Sequence, residues 1–139
     1  MSFRDEVVLL QDLPPFAKLE SAKLKLLAFA SQLRHFVPGD VLIAQGEKAD
    51  TLFVILEGKV EISLGSGEGS RVVRVLEPPA FVGEIAILHQ SLATATVTAT
   101  TALRVLMVSR DVLLSVIGDV PELGRGLARH MESAGYVFE

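Results

Sequence analysis

Gly83 and Glu84 open a short apolar run, Ile85 to Leu88, inside the stretch FVGEIAILHQSLATATV that spans Phe81 to Val97. The run has helical character and is too brief to be a core helix. A glycine followed at once by a short helix gives a tight turn and leaves backbone N–H groups unpaired at the helix start. That arrangement suits an anion such as a phosphate, and an acid at Glu84 is favoured by the helix dipole. His89, Gln90 and Ser91 break the run, and a threonine-alternating strand begins near Thr94. Taken alone, the same residues also describe an ordinary helical turn between two strands. The chain around them decides between the two.

Other chemistries find little support. The three histidines, His35, His89 and His130, are widely scattered with no His-x-His pair, so a metal held by clustered histidine and acidic ligands is not expected. The absence of cysteine excludes disulfides, Cys-ligated zinc and thiol nucleophiles together. There is no serine nucleophile elbow, no P-loop and no paired-carboxylate motif, and the chain is not expected to be an enzyme. Thirteen Lys and Arg against seventeen Asp and Glu give a net charge of −4 with no basic cluster. Nucleic acid is therefore not an expected partner, because phosphate neutralisation needs a basic face. The start, MSFRDEVVLL, lacks the pattern of a signal peptide, and no apolar run approaches the ~20 residues that span a bilayer. A cytoplasmic location and no membrane partner are expected.

The elements that must hold the Gly83 stretch follow from periodicity. One domain is expected over residues 1–139, with a helical segment over about 9–32, strands over 33–108 and C-terminal helices over 109–139. Leu19, Ala22, Leu24, Leu26, Leu27 and Phe29 form an apolar stripe close to helical spacing, which predicts a helix from about Glu20 to Ser31 packed on a sheet. From Leu33 the period drops to 2. Short strands are expected over Leu33 to Val37, Val41 to Ala44, Thr51 to Leu56, Val60 to Leu64 and Val72 to Leu76, then from Thr94 and over Leu103 to Met107. Thr51 to Leu56 is continuously apolar, as in a strand buried on both faces. Turns fall at Pro38-Gly39-Asp40, Gln45-Gly46-Glu47, Glu57-Gly58 and the Gly65–Ser70 loop. Ser109 is placed to cap a helix that carries Asp111 in its first turn and runs to Gly118. A last helix from about Pro121 is weakened by Gly124, Gly126 and Gly135. Strands in one run, flanked by helices, predict an α+β domain built as a sandwich or barrel.

Three segments in this order resemble the cyclic nucleotide-binding domain, the sensor module of the catabolite activator protein and of the protein kinase A regulatory subunits. They are Phe36-x-Pro38-Gly39-Asp40-Val41-Leu42-Ile43-x-Gln45-Gly46-Glu47, Leu52 to Val60 (LFVILEGKV), and Phe81-x-Gly83-Glu84-Ile85-Ala86-x-Leu88. The resemblance covers about Leu9 to Met131. It implies an eight-stranded antiparallel β-roll, jelly-roll-like, with an N-terminal helix, a short inserted cassette helix and C-terminal helices. It implies no cofactor, with cAMP or cGMP as the ligand. Its phosphate would sit on the backbone N–H groups of Ile85 and Ala86 after a close approach at Gly83, and Glu84 would accept a hydrogen bond from the ribose 2′-hydroxyl. A homodimer or protein partner is implied for the output. In the family the terminal helix, here carrying Leu123, Leu127 and Met131 on one face, dimerises or caps the ligand.

The sequence departs from the family pattern at one point. The family places an arginine before a small residue and an alanine, and that arginine pairs with the phosphate. Aligned from Gly83, the position is Ala93, followed by Thr94 and Ala95, and no Lys or Arg occurs between Arg74 and Arg104. A charge-assisted bond of this kind contributes roughly 1.5–3 kcal/mol, so its loss weakens a site by roughly ten- to more than a hundredfold. Three outcomes stay open: cyclic nucleotide binding through backbone donors, the Thr94 hydroxyl, Glu84 and a distant cation such as Arg71 or Arg104; a changed ligand or none; or a degenerate module kept for packing and dimerisation or as an adaptor.

Overall fold

A computed structural model describes residues 10–11, 16–17, 19–48, 50–65, 67–78, 80–83, 87, 92–119 and 125. The elements run α1 (Ser21–Phe29), β1 (Gln32–Phe36), β2 (Val41–Ile43), β3 (Thr51–Glu57), β4 (Val60–Leu64), β5 (Arg71–Leu76), β6 (Ala80–Val82), β7 (Thr96–Ala99), β8 (Leu103–Ser109) and α2 (Arg110–Asp119). The strands form two four-stranded antiparallel sheets, ordered β1-β8-β3-β6 and β2-β7-β4-β5. Eight antiparallel strands in two facing sheets with helices alongside are the β-roll that the resemblance implies.

β3 shows why a continuous apolar run belongs here. Leu52 to Leu56 are all buried, and their alternation sends them to two different cores. Leu52, Val54 and Leu56 face the helices and meet Leu24, Leu27, Leu106 and Leu113, while Phe53 and Ile55 face the roll and meet Val60, Ile62 and Val105. Each fully buried side chain of this size contributes about 1.5–3 kcal/mol. Phe16 packs edge-on against Phe81 at 5.8 Å between ring centroids, tying the N-terminal segment to the strand that leads into Gly83.

α1 buries a narrower face than its composition suggests. Leu24, Leu27 and Ala28 are buried, whereas Leu26 and Phe29 are 50% and 80% exposed. At about 100° per residue the buried set occupies one side of the helix, and only that side meets the sheet. β5 also differs from expectation in its setting. It lies at the edge of its sheet, and Val72, Val73 and Val75 are exposed. α2 begins as its sequence indicates, with the Val112 N–H donating to Ser109 Oγ at 3.2 Å and Leu113 and Val116 buried. It ends one residue beyond Gly118, within the usual variation of a frayed helix end. The inserted helix and the last helix from about Pro121 lie outside the described residues. No helix among the described residues is long and apolar enough to cross a membrane.

Candidate functional site

Gly83 sits where the end of β6 meets the start of β3. Its φ is +101°, and a Cβ at this position would collide with the Thr51 carbonyl oxygen. Only glycine meets both conditions, a left-handed backbone and a van der Waals approach of main chain to main chain. Upstream, Phe81 and Val82 are buried, and downstream Ile87 is 1% exposed in the helix-side core. The chain is thus anchored at Val82 and again at Ile87. Glu84, Ile85 and Ala86, the residues expected to carry the phosphate and ribose contacts, lie outside the described residues, as do His89, His130 and the apolar face of the last helix.

The far end of the stretch is held by a hairpin. Gly46 has φ +86°, and Glu47 N–H donates to Ala44 O at 3.1 Å, closing a tight turn. Gly46 N–H donates to Ala93 O and Ala93 N–H to Glu47 O, each at 2.8 Å. Two hairpin residues opposite one residue of the partner, with a left-handed glycine first, make a bulge of the glycine-led type. Both backbone groups of Ala93 are used. An isolated bridge between Lys48 and Leu92 extends the pairing by one step. Gln45 N–H donates to Thr96 Oγ1 at 3.0 Å, and Gly65 N–H donates to Gln45 Oε1 at 2.9 Å. The β2 turn, the start of β7 and the loop after β4 therefore share one rim.

This clamp delays the strand. The threonine alternation starts at Thr94, but β7 begins at Thr96, because Ala93 is bonded to the hairpin and Thr94 and Ala95 form bends. Ala93 is 7% exposed and belongs to the roll core with Ile43, Val82 and Val97, while Ala95 packs against that core from a half-buried position. Thr94 is half-buried between them. Gly83 joins the same corner, since the nearest side-chain atom to a Cβ built on it is Ile43 Cδ1 at 3.5 Å. The structure therefore brings Gly83, Ala93, Thr94 and Ala95 to one end of the roll, with a methyl group and no cation at position 93.

Of the two distant cations considered, Arg104 is far away. Gly83 follows Val82, whose β3 partner is Phe53, whereas Arg104 pairs with Glu57. Along β8, Val108 stands opposite Leu52 and Arg104 is four residues further on, the fifth residue of β3 being taken up by its bulge, so Arg104 lies about 13 Å from the Gly83 end. Its guanidinium is also committed, donating to Glu57 Oε1 at 2.5 Å. Arg71 is at the near rim, opposite Leu64 on β4. The role of Gln45 as the rim's cross-tie was missed by the sequence reading, which took Gln45-Gly46-Glu47 only as a turn. Among the described residues no three His, Asp or Glu side chains gather as metal ligands.

Two small sheets closed into a roll, with Gly83 fixed at one end of a connecting stretch and a hairpin clamping its other end, define a β-roll with an inserted segment. Residues 33–119 match the cyclic nucleotide-binding domain family, and the chain belongs to that family. It is 31% identical over 126 residues to the cAMP-dependent protein kinase regulatory subunit of Mycosarcoma maydis, covering 87% of this chain and 23% of that protein. It is 30% identical over 115 residues to the CRP-like cAMP-activated global transcriptional regulator of Mycobacterium tuberculosis, covering 82% of this chain and 51% of the regulator. Among solved structures, the regulatory subunit of a cAMP-independent protein kinase A from Trypanosoma brucei aligns with a TM-score of 0.83 at 25% identity, over 93% of this chain and 47% of that one. That structure is a triple mutant with a threonine-to-arginine change among its substitutions, bound to cAMP in its A site.

Proposed function

We propose that this chain is a regulatory ligand-sensing domain without chemistry of its own, which holds a cyclic nucleotide or a related small molecule in the roll and passes its bound state to a protein partner or a second copy. One domain over the whole chain, in the cytoplasm, is part of this reading. The observation that carries it is the retained corner: Gly83 against Thr51, Thr94 and Ala95 at the rim, and the 92–93 segment held by the Gly46–Glu47 bulge. Glu84, Ile85 and Ala86 are proposed to complete it, with backbone donors for a phosphate and a carboxylate for a ribose hydroxyl.

A second reading, a degenerate module serving dimerisation, as an adaptor or for another ligand, is favoured by Ala93. The family's phosphate cation is here a methyl in an apolar cluster. The relatives lend weight to the first reading, since both curated proteins are named for cAMP response. Calorimetric titration with cAMP and cGMP separates the two. Binding of either at micromolar affinity supports the sensing role. Silence from both, together with dimeric mass in solution, supports the module reading and overturns the first.

A further inference from the structure

The β4–β5 pairing puts two exposed arginines on one face of the sheet, the face that carries buried Ile62, although ordinary strand alternation would separate them. Ile62 faces Arg74 and Ser63 faces Val72, so Val73 is an extra residue in β5. Residues three apart in a regular strand point to opposite faces; a one-residue bulge re-aims everything beyond it. Arg74 shares the face of buried Ile62, and Arg71, opposite Leu64, shares that same face. Val72 and Val75 go to the other side with Ser63 and Glu61. Among the described residues Arg71 has no ion-pair partner.

The row in which Arg71 stands leads to the candidate site. Ser63 pairs with Thr96 at the start of β7, so Leu64, one step further along β4, stands at the level where the chain leaves the corner for β7, and Arg71 is opposite Leu64. From β5 across β4 to β7 is two strand spacings, about 9.6 Å between the outer backbones. On the same rim Gln45, a shorter side chain beyond the end of β2, already accepts from the Gly65 N–H just after β4.

Resting on the reading that the roll holds a ligand at the Gly83–Thr94 corner, we propose that Arg71, with Arg74 beside it, supplies the pocket's positive charge from the β5 edge, so that the ligand is an organic anion whose charged group is met from across the sheet. Position 93 then has no cation because the charge enters from another strand. Guanidinium is suited to this, since it presents several donors on a long arm and keeps its charge. An edge strand also benefits from charges against unwanted pairing, so the test has to separate the two roles.

The full chain is titrated with cAMP and with adenosine, its uncharged nucleoside, at low and high salt. Arg71→Gln is expected to weaken cAMP by about tenfold and to leave adenosine unchanged, with Arg71→Lys in between. The wild-type preference for cAMP is expected to shrink at high salt, because a partly exposed charge is screened. Equal cAMP affinity for wild type and Arg71→Gln, with matching melting temperatures, overturns the proposal. So does a wild type that binds no cAMP while Ala93→Arg does, an outcome that leaves the pocket itself standing. No binding by either overturns the pocket reading as well.

Discussion

Single residues divide into those that fix the backbone of the corner and those that set its charge. Gly83 is of the first kind. Gly83→Ala forces a Cβ onto the Thr51 carbonyl at a φ of +101°, a cost of about 1–3 kcal/mol for the backbone alone. Urea unfolding is expected to show that loss, and any ligand titrated afterwards is expected to bind more weakly. Arg104 is charged but belongs to neither kind, since it serves the fold away from the corner. Its guanidinium is mostly buried, with 18% of the side chain exposed, and its Nε has no partner among the described residues. Glu57 is its carboxylate. Glu57→Ala leaves that guanidinium unpaired and is expected to lower stability by about 1–3 kcal/mol, read in the same unfolding experiment, while ligand binding about 13 Å away along β8 stays unchanged. Equal loss of binding would place Arg104 in the site after all.

Elements were legible in proportion to how local their causes are. Ser109 was readable as a helix cap because capping needs only a hydroxyl before a helical run, and the Val112 N–H bonds to it. Ser109→Ala is expected to cost about 1 kcal/mol and to raise amide exchange over the first turn of α2, residues 110–113. Unchanged exchange would mean that packing of Leu113 and Val116 alone starts the helix. β3 was readable too, since a strand buried on both faces must be apolar throughout. The stripe of α1 was overread: Leu26 and Phe29 fit helical spacing, but spacing does not tell how wide a face the sheet will cover. The start of β7 was misplaced by two residues for a non-local reason. Thr94 and Ala95 have strand character, yet the chain there is set by hydrogen bonds to a turn nearly fifty residues earlier. The bulge at Val73 is of the same kind, invisible until β4 supplies the register.

At the scale of the whole molecule, the family was carried by three ordered motifs, and each has a structural reason to persist. The first makes the hairpin that clamps Ala93, the second makes the doubly buried β3 and its turn, and the third makes the glycine corner. The missing cation was visible at residue 93 in the sequence, but the apolar setting of that residue was not. Its neighbours Ile43, Val82 and Val97 come from three different strands. On the proposed function, the corner receives a phosphate while position 93 withholds a charge. A paired calorimetric titration of wild type and Ala93→Arg with cAMP tests this most directly, with melting curves to establish that both are folded. The arginine is expected to tighten cAMP binding by at least about tenfold. Equal affinities in two folded proteins would contradict it.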